Sequence, residues 1–520
     1  MHLLSVGFLS LCLVTGVCAG IGQQPFFGRN SPSPKSRHHG LSGARSYHQE
    51  VKLAPYDAGS FTTVESLRSL HTDSFTILGH PAFPNYSVRV KRSDDFCDGT
   101  VPAYTGYIDV EVRHLFFYFF ESRSNPEEDD VIFWTTGGPG CSSSIGLFME
   151  LGPCKVANPN GNTTFNPFSW NSNANMFFVD QPVGVGFSYA DHGEYVSTTE
   201  EAAKDIAAFV SIFFENFSQF KGRPFHMAGS SYGGRYIPIF AAEVYDQNPK
   251  LIEAGLTPIN LKSAIIGNGV TDFASMMTSF YDIVCTGAAV DPILDISTCV
   301  RMKQAVPRCE KLMKDSCVDM FDAISCSEAM AVCGMELSDP FYATGKNPYD
   351  LSQEYCNGPL DENLCYPIIK HISQYLDRPE IRSLLGADPS LTEKFEFCSG
   401  QVGNDFSIAM DEYHPTYHYV SALLERGVRT IIYVGVLDWI CNWVGNERWT
   451  LALEWSGQEE FKNQALRDWF VDGQVAGQTR SAKGGLLTFA TIDGAGHMPA
   501  YDKPKESLVL LNRWLKGEQP

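Results

Sequence analysis

The sequence predicts an α/β fold in which a mainly parallel β-sheet is covered by helices on both faces. Short apolar segments rich in β-branched and aromatic residues alternate with helix-like segments along most of the chain, as in parallel strands joined by crossover helices. In addition, the hexapeptide at 229–234 (GSSYGG) follows an apolar strand at 225–228 and precedes a helix-like segment at 236–245. A glycine-bounded turn from a strand into a helix is typical of such sheets.

Length and composition allow a large folded core and argue against two classes of partner. The 520 residues are 44% hydrophobic, which is enough to bury an extensive interior. The formal net charge is −21. Nucleic acids and anionic membranes both attract clusters of Lys and Arg, so we expect neither as a partner. The oligomeric state is left open.

The first 92 residues predict export and processing. Residues 1–19 hold an apolar segment that ends in small residues, which is the pattern of a secretory signal peptide. Residues 20–92 form a predicted pro-segment that ends in basic RVKR at 89–92, before an acidic SDD sequence. The alternative is an exposed basic loop that no protease cuts. The catalytic domain is expected to span 93–520.

Two further features agree with export. Three N-x-S/T sequons, at Asn85, Asn162 and Asn216, offer glycosylation sites in a secreted protein. No segment after the signal approaches the ~20 apolar residues of a membrane helix. We therefore expect a secreted extracellular protein, with a vacuolar location as the less favoured alternative.

The elements that follow alternate as the fold class requires. A hairpin is predicted from strands at 104–110 and 115–120, which are rich in aromatic and β-branched residues. Three buried strands and one helix come next, the strands at 131–134, 175–180 and 262–269 and the helix at 198–217. The strand at 225–228 and the helix after it lie within this series.

The alternation breaks between about 270 and 415. Most of the cysteines lie in this stretch, among short helical segments mixed with Gly and Pro. We interpret it as a disulfide-stabilised insertion that caps the sheet. The α/β pattern returns with strands at 429–435 and 486–492 and ends with a helix at about 505–515.

Cysteine usage indicates an oxidising compartment. Of the 15 cysteines, Cys12 and Cys18 lie in the signal segment, and the 13 that remain are an odd number, so one thiol should be free. Zinc binding is the competing interpretation, but no CxxC pair occurs. Disulfides are therefore favoured, their pairing is open, and no metal or organic cofactor is implied.

Three residues at the ends of predicted strands form a candidate catalytic set. Ser231 is the central residue of a G-x-S-x-G pattern, whose glycines let the chain turn sharply and present the hydroxyl. Asp438 and His497 follow the two strands that come after the insertion. A serine hydroxyl needs an imidazole to take its proton, and the imidazole needs a carboxylate to orient it. The chain order Ser, Asp, His accompanies this kind of turn and argues against a Gly/Ser-rich surface loop.

A second glycine cluster follows the strand at 131–134. The sequence TTGGPGC at 135–141 supplies backbone N–H groups with no side chains in the way. Such groups are what an oxyanion hole requires.

These motifs resemble those of the serine carboxypeptidases, which have the α/β-hydrolase fold, and most closely those of the secreted fungal members. The similarity covers roughly 97–514, nearly the whole predicted mature chain. The segments that carry it are 104–107 (YTGY), 121–123 (ESR), 137–143 (GGPGCSS), 150–153 (ELGP), 180–188 (DQPVGVGFS), 440–442 (ICN) and 496–499 (GHMP).

The resemblance implies several roles for single residues. It implies that the backbone N–H groups of Gly138 and Tyr232 form the oxyanion hole. It also implies a disulfide between Cys141 and Cys398, and it makes Cys441 the free thiol near the substrate pocket. The implied substrates are the C-termini of peptides and proteins, which would be shortened by hydrolysis with no cofactor.

The resemblance further implies a site for the terminal carboxylate of the substrate. In the family this site is built from a Trp and an Asn before a double glycine, the Glu of the ELGP segment, and a Glu before the nucleophile. The corresponding residues in this sequence are Trp134, Thr136, Gly137, Glu150 and Ser230. The sequence departs from the family at Thr136, where Asn is usual, and at Ser230, where Glu is usual.

These departures change the expected pH dependence. Two neighbouring carboxyl groups raise each other's pKa, and they must hold protons in order to donate to a carboxylate. Here only Glu150 titrates, whereas the hydroxyls of Thr136 and Ser230 donate at any pH. We expect peptidase activity to persist and to fall less steeply towards neutral pH than in relatives that have both Glu residues.

Two alternatives to a carboxypeptidase remain. One is an esterase or acyltransferase on the same scaffold, which the altered carboxylate site makes more credible. The other is a binding protein without activity, such as a peptide carrier. The complete catalytic set and the glycine cluster argue against a binding protein, because binding alone does not need those residues.

Overall fold

The computed structural model describes residues 63–64, 66–158, 162–356 and 363–520. Residues 1–62, which include the predicted signal peptide and most of the predicted pro-segment, lie outside the described residues. The described strands are β1 (Thr76–Gly79), β2 (Tyr86–Arg92), β3 (Ala103–Val110), β4 (Arg113–Phe120), β5 (Val131–Thr135), β6 (Cys154–Val156), β7 (Thr163–Phe165), β8 (Asn175–Val179), β9 (Tyr189–Ala190), β10 (Phe225–Ser231), β11 (Leu261–Gly269), β12 (Arg429–Gly435), β13 (Arg467–Val471), β14 (Gln474–Ala482) and β15 (Leu487–Ile492).

One sheet of 13 strands dominates the molecule. Its order is β1-β2-β3-β4-β8-β5-β10-β11-β12-β15-β14-β13, with β9 paired to β4. The five pairs from β8 to β15 are parallel, and the pairs on either side of them are antiparallel. The predicted α/β architecture is thus confirmed, and the carboxyl ends of the parallel strands meet at one edge, where a site is expected.

Helices cover both faces of the sheet. The described α-helices are α1 (Thr199–Asn216), α2 (Gly233–Glu253), α3 (Phe273–Cys285), α4 (Ile296–Met313), α5 (Ala323–Cys333), α6 (Asp339–Tyr342), α7 (Pro367–Leu376), α8 (Pro379–Leu385), α9 (Gly400–Ile408), α10 (Tyr417–Glu425), α11 (Trp443–Ala452), α12 (Gln458–Asn463), α13 (Pro499–Asp502) and α14 (Pro504–Leu515). Buried residues of α1, α2, α9 and α10 form one apolar core with the sheet. Those of α14 and of α3 to α8 form a second.

The segment between β11 and β12 is a helical cap, as the cysteine-rich stretch predicts. It carries α3 to α9 and is cross-linked by the disulfides Cys285–Cys299, Cys309–Cys333, Cys317–Cys326 and Cys356–Cys365. Its two ends meet at the sheet, where the Thr416 N–H and hydroxyl both donate to the Thr271 carbonyl, at 3.2 and 2.9 Å. The cap therefore leaves and rejoins the sheet at a single place.

The predicted processing site at 89–92 lies in a strand of the main sheet. Strand β2 includes the basic pair, with Lys91 opposite Thr105 and Arg92 opposite Tyr104 on β3. Lys91 is only 7% exposed. Strands β1 and β2 extend the main sheet, so the basic segment is part of a paired strand, and the boundary at residue 93 stays a prediction.

The sequence patterns do not reveal the hairpin of β13 and β14 at the far edge of the sheet. Its residues are largely polar and exposed on one side, so they lack the apolar segment that marks the central strands. The turn is Asp472-Gly473, and both residues have positive φ, 49° and 78°. This dipeptide is a strong hairpin signal and could have identified the turn.

Candidate active site

Ser231 lies at the turn between β10 and α2. It ends the strand with φ of 60°, a left-handed conformation that is strained for a residue with a side chain. The register with β11 shifts between Ser230 and Ser231, so the backbone leaves the sheet at this point. The predicted strand, tight turn and helix are all present, and the hydroxyl lies at the carboxyl edge of the sheet.

The glycine loop after β5 packs directly against this turn. A Cβ atom at Gly137 would lie 2.3 Å from the backbone nitrogen of Tyr232 and 2.9 Å from Cβ of Ser231. Only glycine fits there without displacing the nucleophile. Gly138 follows with φ of 117°, which favours glycine. The structure therefore brings the two predicted oxyanion residues, Gly138 and Tyr232, to the same turn.

Asp438 and His497 form a buried hydrogen-bonded pair. Nδ1 of His497 lies 2.8 Å from Oδ2 of Asp438, and the two side chains are 2% and 0% exposed. Asp438 also accepts a hydrogen bond from the backbone N–H of Ile440, at 3.1 Å. A carboxylate held in this way can fix the orientation of the imidazole and stabilise its charged form.

Asn268 belongs to this group, although sequence reasoning did not select it. Its Nδ2 donates to Oδ2 of Asp438 at 2.8 Å, and its Oδ1 accepts from the N–H of Gly435 at 3.1 Å. It sits with φ of 42° at the end of β11, between Gly267 and Gly269. A polar residue flanked by glycines, at the end of the strand beside β12, is the signal that could have found it.

A segment of the cap joins the loops that carry Asp438 and His497. The Tyr349 carbonyl accepts from the His497 N–H at 2.7 Å, and the Pro348 carbonyl accepts from the N–H groups of Trp439 and Ile440, at 3.1 and 3.2 Å. The ring of Tyr349 also lies 5.0 Å from the imidazole. Sequence reasoning missed this role, because nothing in the Asn-Pro-Tyr turn at 347–349 indicates where the turn packs.

Ser231 and His497 do not share a hydrogen bond among the described residues. In unliganded sites the contact between nucleophile and base is often loose and tightens when substrate binds. The three predicted catalytic side chains are thus gathered at one edge of the sheet.

Cys441 is the free cysteine of the described part of the chain, and it is buried. Its sulfur and ligand atoms of Asp438 and His497 lie within 4.8 Å of one another, a spacing that could hold a metal ion. Burial raises the pKa of the Cys441 thiol well above its ordinary value, and Asp438 adds to that shift. A thiol held protonated is a poor nucleophile and a poor metal ligand, so Ser231 stays the candidate nucleophile of this group.

The residues predicted to bind a carboxylate, which we call the wall, are all buried. Nε1 of Trp134 donates to Oγ1 of Thr136 at 3.4 Å. The indole also packs on Gly146, where a Cβ atom would lie 2.3 Å from Nε1. Gly146 begins a short π-helical segment, Gly146–Leu151, which carries Glu150.

Two polar atoms in this wall have no hydrogen-bond partner among the described residues. They are Oε1 of Glu150 and Oγ of Ser230, and both are buried. Burial raises the pKa of Glu150 to about 8, and the nearby Asp502 adds to the shift while Lys155 opposes it. Near neutral pH the Glu150 side chain is therefore a neutral carboxylic acid that can donate a hydrogen bond.

Comparison with known proteins gives the family. A sequence profile described as serine carboxypeptidase matches residues 97–517. The chain belongs to the serine carboxypeptidase family. Carboxypeptidase Y homolog A of Fusarium vanettenii is 40% identical over 438 residues, which are 84% of this chain and 78% of that protein. Carboxypeptidase Y of Candida albicans is 39% identical over 439 residues, which are 84% of this chain and 77% of that protein.

A solved structure agrees with this assignment. The crystal structure of Kex1(delta)p, a prohormone-processing carboxypeptidase from Saccharomyces cerevisiae, superposes with a TM-score of 0.67 at 25% identity. The match covers 80% of this chain and 91% of that chain. The protein is therefore a serine-type carboxypeptidase, a hydrolase of the α/β-hydrolase fold.

The glycine loop of this carboxypeptidase is bonded to the end of the cap. A disulfide joins Cys141 to Cys398. On either side of it, the Ser142 N–H donates to the Phe397 carbonyl at 2.7 Å, and the Ser399 N–H donates to the Gly140 carbonyl at 2.8 Å. The loop is thus fixed to the cap by one covalent bond and two backbone hydrogen bonds.

Asp180 holds the same loop from the sheet side. Its Oδ1 accepts from the Ser142 hydroxyl at 2.6 Å and from the Ser143 N–H at 2.9 Å, and its Oδ2 accepts from the Phe187 N–H at 3.2 Å. Burial raises the pKa of Asp180 to about 6. This carboxyl group therefore connects the segments at 137–143 and 180–188, two of the motifs that typify the carboxypeptidase.

The three glycosylation sequons differ in their surroundings. Asn85 and Asn162 are exposed. Asn216 is 2% exposed, and its Nδ2 donates to the Ile212 carbonyl within α1 at 2.9 Å. The folded carboxypeptidase does not present Asn216 for a glycan, so the prediction for this sequon conflicts with the structure. No helix in the described ranges is both long and apolar enough to cross a membrane.

Proposed function

We propose that this carboxypeptidase is secreted and releases C-terminal residues from peptides and proteins through an acyl-enzyme on Ser231. The observation that carries the proposal is the buried wall of Trp134, Thr136, Glu150 and Ser230 beside the nucleophile turn. Its unpartnered Glu150 carboxyl and Ser230 hydroxyl are donors that a substrate carboxylate can satisfy. The preference for a free C-terminus then follows from the need to pair these buried groups.

Acylation uses the gathered triad. His497 takes the proton of the Ser231 hydroxyl through Nε2, because Nδ1 faces Asp438. The serine oxygen forms a bond to the scissile carbonyl carbon, and the carbonyl oxygen becomes an oxyanion that the N–H groups of Gly138 and Tyr232 stabilise. His497 then donates its proton to the departing amine as the C–N bond breaks, and the C-terminal residue leaves.

Deacylation reverses the roles. Water attacks the ester carbonyl of the acyl-enzyme while His497 takes its proton, and the same oxyanion donors stabilise the second intermediate. The proton then returns to the Ser231 oxygen as the ester bond breaks. Asp438, oriented by Asn268, stabilises the imidazolium in both halves of the cycle.

Mass spectrometry of a peptide pair tests this function. A peptide with a blocked N-terminus is incubated with purified protein beside its C-terminally amidated twin, at pH 4.5 and pH 7, with Ser231→Ala as control. We expect stepwise loss of C-terminal residues from the free acid and not from the amide. Ser231→Ala should lose the activity to within background.

The altered carboxylate site defines the alternative outcome. Thr136 and Ser230 leave Glu150 as the single carboxyl group in the wall. Equal cleavage of the amide, or labelling of Ser231 by a fluorophosphonate without any peptide cleavage, would contradict the proposal. Those results would favour an esterase or acyltransferase on the same scaffold.

Export and maturation are part of the proposal. The segment at 1–19 has the form of a signal peptide, and Asn85 and Asn162 are accessible sequons. We expect the protein in the culture medium, with glycans at these two positions. Because β2 is part of the sheet, N-terminal sequencing should find a start before Thr76; a start at Ser93 would contradict this.

A further inference from the structure

A buried carboxylate from the end of the cap contacts the residue that follows the nucleophile. Asp411 is 1% exposed. Its Oδ2 accepts a hydrogen bond from the phenol of Tyr232 at 2.6 Å, and it also accepts from Nε of Arg235 at 2.5 Å and from the hydroxyl of Thr199 at 2.7 Å. Asp411 thus joins the cap, the first turn of α1 and the first turn of α2.

The charge of Asp411 is fully compensated. The guanidinium of Arg235 makes a second bond to it, from NH2 to Oδ1 at 3.1 Å, and the N–H of Thr199 donates to Oδ1 at 2.9 Å. Arg235 lowers the pKa of Asp411 although burial opposes that shift. The carboxylate is therefore ionised over the working range of pH, which strengthens its hydrogen bond from the Tyr232 phenol.

The position of Asp411 is itself fixed. Met410 before it has φ of 55°, and NH1 of Arg235 donates to the His414 carbonyl after it, at 2.6 Å. A little further on, Thr416 bonds to Thr271, where the two ends of the cap meet. Asp411 is thus a rigid point to which another side chain can be anchored.

The turn at Ser231 needs such an anchor. Ser231 has a strained positive φ, and the adjacent Tyr232 is the only residue between it and the start of α2. The Tyr232 ring contacts Tyr236 and Phe406, with centroids 5.1 and 6.3 Å away. Packing between rings is not directional and leaves the Tyr232 ring free to shift in its plane. The hydrogen bond to Asp411 is directional and fixes the position of the phenol oxygen.

We propose that Asp411 is a positioning residue for catalysis: through the Tyr232 phenol it fixes the Tyr232 backbone N–H in the oxyanion hole. This inference rests on the proposed oxyanion role of Tyr232. Loss of one oxyanion donor costs about 10²–10³ in kcat in well-studied hydrolases. A donor that is displaced rather than removed should cost less, on the order of tenfold.

The test is Tyr232→Phe, which keeps the ring and removes the anchoring hydroxyl. Tyr118→Phe is the matched control, because its buried hydroxyl has no hydrogen-bond partner among the described residues. We measure kcat and KM on a free-acid peptide and on an activated ester, together with the rate of fluorophosphonate labelling. Tyr232→Phe should lower kcat and the labelling rate about tenfold with KM unchanged, whereas Tyr118→Phe should stay within about twofold.

Asp411→Asn should also lower kcat and the labelling rate with KM unchanged. The double variant with Tyr232→Phe should be no slower than Asp411→Asn alone. If Asp411→Asn does not fold, Tyr232→Phe decides alone. Wild-type kcat and labelling rates in Tyr232→Phe, or a change in KM only, would overturn the inference. Failure of the proposed function appears differently, as wild-type protein that is labelled but cleaves no peptide, and the labelling comparison then still tests Asp411.

Discussion

Burial alone can keep the Glu150 carboxyl group protonated near neutral pH, without a neighbouring glutamate. Its pKa is raised to about 8 mainly by burial, and the contribution of Asp502 comes second. A second glutamate at position 230 is therefore not needed to keep the proton on Glu150 near neutral pH. The sequence predicts a less steep loss of activity towards neutral pH, and this electrostatic environment supplies the physical reason.

KM for free-acid peptides should depend on the ionisation of Glu150. Below about pH 8 the neutral acid donates to the substrate carboxylate; above it, two carboxylates face each other and binding weakens. We expect KM to be flat from pH 5 to 7 and to rise by about tenfold per pH unit well above pH 8. Steady-state kinetics across pH 5–9.5 measure this.

Two variants check the origin of that rise. Glu150→Gln keeps a donor but cannot ionise, so the rise in KM should disappear. Ser230→Glu adds a second carboxyl group and should make the loss of binding towards neutral pH steeper. A wild-type rise that persists in Glu150→Gln would assign the effect to another group.

The sequence pointed to the candidate catalytic residues more readily than to the residues that contact them. Ser231, Asp438 and His497 were recognisable because each follows a strand that ends at the same edge of the sheet. Asn268 and Asp411 were not, because their function depends on which side chains lie opposite them across long stretches of chain. Such contacts leave no local pattern.

At the scale of elements, the glycine loop depends on the cap for its position. The loop is held by the Cys141–Cys398 disulfide and by backbone hydrogen bonds on both sides of it. The disulfide spans 257 residues, so it also restricts the unfolded chain strongly. Loss of this disulfide should therefore affect both the position of the glycine loop and the stability of the fold.

Replacing Cys141 and Cys398 together by Ser should lower stability and activity. We expect a loss of about 2–5 kcal/mol in the free energy of unfolding. We also expect a severalfold fall in kcat, because Gly138 is no longer held against the turn. Thermal unfolding and steady-state kinetics measure the two effects.

The matched control replaces Cys317 and Cys326 together by Ser. The Cys317–Cys326 disulfide lies within the cap and spans only nine residues. This control should cost less stability and leave kcat near the wild-type value. Equal loss of kcat in the two double variants would show that the glycine loop does not depend on its own disulfide.

The strands that the sequence predicted are buried on both faces, whereas the strands that it missed are not. Strands such as β5, β8 and β12 are buried on both faces and appear as short apolar segments. Strands β13 and β14 have one exposed polar face, and β2 contains basic residues that suggested a processing site. Burial by distant elements makes these segments strands, and that burial cannot be read from the segments themselves.

At the scale of the whole molecule, buried carboxyl groups make stability depend on pH. Burial raises the pKa of Glu150 to about 8, of Glu412 to about 7, and of Asp180 and Asp502 to about 6. Between their ordinary values and these raised values, the folded state binds more protons than the unfolded state. These four groups therefore lower the free energy of unfolding as pH rises through this range, and histidines whose pKa is lowered by burial oppose part of the effect.

Thermal unfolding should show this dependence directly. We expect the melting temperature to be higher at pH 5 than at pH 8, and the difference to correspond to a few kcal/mol. Glu150→Gln should reduce the difference, because it removes the group with the largest of these shifts. A melting temperature that rises from pH 5 to pH 8 would contradict the sign of the argument.

The contacts of Pro348 and Tyr349 with the loops of Asp438 and His497 limit how this protein can be recombined. A chimera that receives the cap of a relative will align its acid and base only if the segment at 347–351 still matches both recipient loops. Deleting the cap to obtain a minimal hydrolase should likewise separate the pair, even with all sheet strands retained. In evolution as in engineering, sequence changes in the cap segment at 347–351 and in the two loops that it contacts must therefore be compatible.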